Sequence, residues 1–177
     1  GKYIERFHEH GIKVIPVVAL PAQAERLNRY HVDAIICEGS EAGGHIGELT
    51  TMCLVPQVRN VVDIPVIAAG GIGSASAMSA VMELGADAVQ MGTRFIGTHE
   101  CDASENFKKT LINAKEEDIV IVSSPVGYPG RAVKTNLIEN LEPNNNKIQC
   151  ISNCVFPCGR GKGARAVGYC IADSLGD

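Results

Sequence analysis

One histidine, His45, stands inside a glycine-rich run, EAGGHIGELTTM, at residues 41–52. An imidazole changes charge close to neutral pH, so it serves as a general base or as a cationic donor. Gly43, Gly44 and Gly47 leave little bulk around it and let the backbone approach a ligand. The same glycines suit an ordinary tight turn that contains a histidine. Two further stretches carry a different chemistry. Gly70-Gly71-Ile72-Gly73 follows the run VIAA, and Gly92-Thr93-Arg94-Phe95 follows AVQM. Backbone N–H groups freed at such exits, beside a helix start, bind a phosphate dianion without a lysine. Strand-to-helix turns use glycine without any ligand too. Two such exits on adjacent units, one with the Thr93 hydroxyl, favour phosphate. Gly39 marks a third glycine exit. No GxGxxG fingerprint is present, which argues against a dinucleotide site of the Rossmann kind.

The third candidate chemistry lies in the tail. Cys150, Cys154, Cys158 and Cys170 are spaced C-x3-C-x3-C-x11-C. This is neither the C-x2-C pair of common zinc sites nor a ferredoxin run. Four thiolates suffice for zinc or an iron–sulfur cluster, and free thiols packed as small hydrophobes are the alternative. Pro157 opposes an unbroken helix through Cys158. The basic loop Gly159-Arg160-Gly161-Lys162-Gly163 lacks the length and hydroxyl of a Walker loop and reads as solvated. Pro143 to Lys147 reads as a flexible turn. His8, His10, His31 and His99 follow no metal-ligand pattern and read as surface or loop histidines.

These residues need elements to position them. Apolar runs predict strands near 13–18, 34–38, 65–69 and 88–92, nearly continuous as parallel strands covered on both faces are. Helical spacing predicts helices over 21–30, 51–62, 75–84 and 104–115, the third opened by Ser74 and closed by Gly85. Ile15-Pro16-Val17 recurs as Ile64-Pro65-Val66, and Val32-Asp33-Ala34-Ile35 as Ala86-Asp87-Ala88-Val89. Two βαβα modules thus follow one another, as in a (β/α)8 barrel or a doubly wound sheet. Four strands make half a barrel. In either fold the carboxyl ends of the strands carry the site, where the glycines fall.

Bulk properties narrow the classes. The chain has 177 residues, 45% hydrophobic and 20% charged, with a net charge of −4. That balance suits one globular domain and offers no cationic excess for nucleic acid. No apolar run reaches the roughly 18 to 20 residues that cross a bilayer. The opening GKYIERFHEHG has no signal-peptide pattern. Cys37, Cys53 and Cys101, scattered singly, read as buried thiols of a cytoplasmic protein.

EGSEAGGHIGELTTMCLVPQV, then IPVIAAGGI, then GADAVQMGTRF resembles the flavin-dependent nitronate monooxygenases, formerly called 2-nitropropane dioxygenases. The FMN-dependent enoyl-acyl-carrier-protein reductases share these motifs. The resemblance runs from about residue 10 to residue 137 and includes Gly130-Arg131-Ala132-Val133-Lys134. It implies an α/β chain holding strands five to eight, the second half of an FMN-binding TIM barrel, over residues 1–118. A post-barrel segment and cysteine-rich tail would follow over 119–177. It implies that His45 is catalytic, that Gly43 and Gly44 lie against the flavin, and that Gly70, Gly71, Gly92 and Thr93 hold its phosphate. The implied function is oxidation of nitronates or nitroalkanes with dioxygen. One alternative is NADH-dependent enoyl reduction; another is a non-catalytic or metal-binding interaction module. The resemblance further implies a small-molecule substrate and pairing with a second copy or with the N-terminal half of the barrel, since half a barrel exposes strand edges.

Overall fold

The computed structural model describes residues 3–123 and 129–139. The expected cysteine cluster (Cys150, Cys154, Cys158, Cys170), the 159–163 loop and the 143–147 turn lie outside the described residues. The chain divides into two compact units, Gly1–Ala103 and Ser104–Asp177.

The first unit is an α/β layer. It runs α1 (Ile4–Glu9), β1 (Val17–Val18), α2 (Pro21–Asn28), β2 (Ile35–Glu38), β3 (Gly44–His45), α3 (Thr51–Arg59), β4 (Val66–Ala69), α4 (Ala75–Glu83), β5 (Ala88–Gln90) and α5 (Thr93–Ile96). The four expected strands form one sheet in the order β1-β2-β4-β5, every pair parallel. Each sits within its expected span. The first shrinks to Val17–Val18, because Pro16 has no N–H to give to a ladder. Its carbonyl still accepts from Ile36 N–H at 2.9 Å.

Register assigns the faces. Val18, Cys37 and Ala68 stand in one row, with Ile35 opposite Val66 on the same side. All five are buried, under α2, α3 and α4. Helix α3 supplies the centre of that core, with Leu54, Val55 and Val58 fully buried. The opposite face carries Val17, Ile36, Ile67 and Ala88 in one row, and Glu38, Ala69 and Gln90 in the next. Burial falls there: Val17 is 53% exposed. A parallel sheet is stable when both faces are covered. This one leaves an apolar row open.

The repeated aspartates explain the doubled sequence. Asp33 Oδ2 accepts from Val14 N–H and Asp87 Oδ2 from Val66 N–H, both at 2.8 Å. Each aspartate's own N–H donates to the carbonyl of that same residue, at 3.0 and 2.8 Å. Asp87 thus clasps the start of β4 and Asp33 the chain leading into β1, at the end of the sheet away from the glycines. Lys13 and His8 also hold the Asp33 carboxylate, at 2.8 and 2.9 Å. Ser74 caps α4 as expected, accepting from Ala77 N–H at 3.2 Å.

The second unit holds α6 (Glu105–Asn113), a hairpin of β6 (Ile119–Ser123) and β7 (Pro129–Val133), and α7 (Asn136–Glu139). The hairpin is antiparallel, with Ile119 opposite Val133 and Ser123 opposite Pro129. The βα alternation predicts no strand here, although IVIV at 119–122 is a β-branched run. Of the three cysteines expected to be buried, only Cys37 is; Cys53 is exposed and Cys101 partly so. Cys53 neighbours the buried Leu54 on α3, but the helical turn carries it to the outer side.

Candidate active site

The carboxyl ends of β2, β4 and β5 lead into three glycine turns that differ in what surrounds them. Gly39, after β2, is packed shut: an added Cβ would stand 2.6 Å from Glu41 Oε2 and closer still to Thr51. Its exit is filled by this chain's own side chains. Gly70 and Gly71, after β4, hold φ +97° and +70°, the left-handed region that a side chain disfavours by roughly 1–2 kcal/mol. A Cβ on Gly70 would press Gly39 O at 3.0 Å, and one on Gly71 would press Glu41 Cβ at 3.0 Å. Glycine is therefore required twice over at this turn. Around Gly92, after β5, the space is open. Gly92 caps the single turn of α5, and Thr93 begins it.

The loop between β2 and α3 folds back over these exits. Ser40 N–H donates to Leu49 O at 2.8 Å and Gly39 N–H to Ala69 O at 3.0 Å. Its centre is β3, where Gly44 takes φ +81° with nothing within 4 Å of an added Cβ. Next to it His45 is half-buried. Gly43 comes close to Thr93: an added Cβ would sit 3.4 Å from the Thr93 hydroxyl oxygen. The structure thus gathers Gly43, Gly44 and His45 on one loop, brings that loop to Thr93, and seats its root against Gly70 and Gly71. The backbone at Gly44 and Gly92 faces open space.

Two residues at the centre of this arrangement were not singled out from the sequence. Glu41 accepts from Thr51 N–H, at 3.1 Å to Oε1 and 2.9 Å to Oε2. Thr51 is buried, and its hydroxyl has three oxygens in range: Gly70 O at 2.9 Å, Ala69 O at 3.2 Å and Glu41 Oε2 at 3.2 Å. One hydroxyl proton serves the shortest, so it donates to Gly70 O. A carboxylate at a helix start is stabilising by about 0.3–1 kcal/mol. The signal was present in the motif, as a carboxylate ten residues ahead of a Thr-Thr helix start.

Two further groups at the end of β2 have altered acidities. Burial pushes the Cys37 thiol up to about 12, which keeps it protonated and unreactive. Burial also raises Glu38, whose side chain belongs to the open face. Among the described residues no group of histidines, cysteines and carboxylates is arranged to hold a metal ion. Among them, too, no helix is long and apolar enough to cross a membrane.

A family model described as nitronate monooxygenase matches residues 2–174. The chain belongs to the nitronate monooxygenase family. Within that family it is similar to a probable nitronate monooxygenase of Staphylococcus aureus (strain JH9), 39% identical over 82% of this chain and 44% of that protein. It is also similar to the (3aS,4S,5R,7aS)-5-hydroxy-7a-methyl-1-oxo-octahydro-1H-indene-4-carboxyl-CoA dehydrogenase of Rhodococcus jostii (strain RHA1). There the identity is 34% over 81% of this chain and 40% of that protein. Among solved structures, FabK from Thermotoga maritima superposes with a TM-score of 0.75 at 46% identity, covering 79% of this chain and 45% of that one. Nitroalkane oxidase from Streptomyces ansochromogenes gives 0.69 at 33% identity, covering 75% and 41%. The chain spans under half the length of the curated relatives it matches.

Proposed function

We propose that this chain supplies strands five to eight of an FMN-binding (β/α)8 barrel, and that the completed barrel is a nitronate monooxygenase. The observation that carries the reading is the meeting of the His45 loop with Thr93 beside open backbone at Gly44 and Gly92. A flavin needs a face free of side chains and a phosphate needs free N–H groups; glycines at these positions fit both. The open row Val17, Ile36, Ile67 and Ala88 fits the inner face of a barrel, which its other half would cover.

In this reading Gly70, Gly71, Gly92 and Thr93 hold the phosphate, and Gly43 and Gly44 lie against the ring. FMN, when bound, accepts electrons from the substrate and passes them to dioxygen. His45 takes the α-proton from a neutral nitroalkane at an imidazole nitrogen. A nitronate arrives already deprotonated; towards it a protonated His45 donates a hydrogen bond to the anion. The glycines keep side chains out of the space between imidazole and substrate carbon.

The test is oxygen uptake by the completed barrel with propyl-2-nitronate and no NADH. Turnover supports the reading. NADH oxidation that depends on an enoyl thioester, with no oxygen uptake on nitronate, replaces it with the enoyl reductase. A protein that stays colourless after incubation with FMN leaves a non-catalytic module.

A further inference from the structure

The exits of β2 and β4 meet at two side chains, Glu41 and Thr51. Glu41 and Thr51 tie three separate pieces of chain together. Glu41 belongs to the His45 loop, four residues ahead of the imidazole. Thr51 opens α3, the helix that fills the core. Gly70 and Gly71 form the turn after β4. The Thr51 hydroxyl reaches Gly70 O at 2.9 Å while its N–H reaches Glu41 at 2.9 Å. Packing is tight at the same junction: a Cβ added to Gly71 would press the Glu41 side chain, and one added to Gly70 would press Gly39 O and Ala42 N. Glu41 also occupies the start of α3 with a negative charge. An incoming dianion is thereby kept off that helix end and left to the glycine turns after β4 and β5.

We propose that Glu41 and Thr51 are positioning residues that clamp the His45 loop and the Gly70–Gly71 turn into one unit. They fix where the imidazole stands relative to the bound phosphate. The clamp acts through the backbone and touches neither substrate nor cofactor. It rests on the flavin reading above only for what the unit holds. Its geometric logic is that displacement of a reacting group by about 1 Å costs on the order of a hundredfold in rate.

The experiment compares the completed barrel with its Thr51→Val, Thr51→Ser and Glu41→Gln variants. Amide hydrogen exchange is followed residue by residue, and FMN and riboflavin are titrated by flavin fluorescence. Thr51→Val keeps the shape and removes the hydroxyl. Exchange at Gly39, Ser40 and Ala42 is expected to quicken at least ~10-fold, with Ile35 and Asp87 unchanged, as local opening requires. The His45 ring resonances are expected to shift in the same variant. Thr51→Ser is expected to restore both, and Glu41→Gln to fall between. FMN affinity is expected to drop at least ~10-fold in Thr51→Val, and riboflavin affinity to stay within about threefold. Unchanged exchange at Gly39, Ser40 and Ala42 overturns the clamp. So does exchange that quickens equally at Ile35 and Asp87, since that is loss of fold and not of position. Wild-type protein that binds FMN no better than riboflavin removes the phosphate reading, and the exchange data then decide the clamp alone. If Thr51→Val does not fold, Glu41→Gln against Thr51→Ser gives the same comparison, and equality of Glu41→Gln with wild type overturns it.

Discussion

The Thr93 hydroxyl oxygen lies 3.4 Å from the place where a Cβ on Gly43 would stand. These two residues come from the exits of different strands, and their approach brings the two turns together. Gly43 opens the loop that carries His45, while Thr93 opens the short helix after the last strand. A side chain at residue 43 would compete with anything bound against that hydroxyl.

The proton-transfer role proposed for His45 would separate two substrates. In the completed barrel, His45→Ala is expected to slow oxidation of a neutral nitroalkane by about 10²–10⁴-fold, the usual contribution of a positioned base. Oxidation of the corresponding nitronate is expected to fall far less, because that substrate arrives without the proton. FMN affinity is expected to hold. Rates measured side by side by oxygen uptake check this, and equal losses on both substrates count against the base.

Gly44 is held at φ +81° with open space around it. Gly44→Ala is expected to cost about 1–2 kcal/mol in stability from the left-handed backbone alone. Its new methyl group points into the space assigned to the flavin, so FMN affinity is expected to fall by ~10-fold or more. Denaturant melts and flavin titration measure the two effects separately. A loss of stability with FMN affinity intact would place the ring elsewhere.

Much of this was legible from residue types alone. The apolar runs and the repeated Asp33 and Asp87 announced a parallel sheet built from two similar modules. The Ser74 cap was readable because it depends on residues three apart. The Glu41–Thr51 junction was not, since its partners become neighbours only when a ten-residue loop folds back on itself. Gly39 illustrates the same limit. It reads as a third glycine exit, and Glu41 and Thr51, brought together by the same folded loop, close it. The β6–β7 hairpin is not legible from the βα alternation, which offers its β-branched run no partner.

At the far end of the sheet, acidity follows from Asp33. The Lys13 ammonium, then Val14 N–H, then His8 hold its carboxyl well below the usual carboxylate range. A lowered folded-state pKa contributes stability that is present above the ordinary value of about 3.9 and lost as pH falls through the folded value. Asp33→Asn is expected to lower the melting temperature at pH 7, and the gap to wild type is expected to close as the pH falls below about 4. Thermal melts across that range check the sign. A gap that widens on acidification would mean the carboxylate is not held in its charged form.

The central claim is that the turns after β4 and β5 form one phosphate cradle beside His45. The most direct measurement is a crystal structure of the protein with FMN bound. The expected result is a phosphate held by the backbone N–H groups of Gly71, Gly92 and Thr93, with the ring over Gly43 and Gly44. A phosphate seated at the start of α3 in place of Glu41, or on residues outside these turns, would contradict the account.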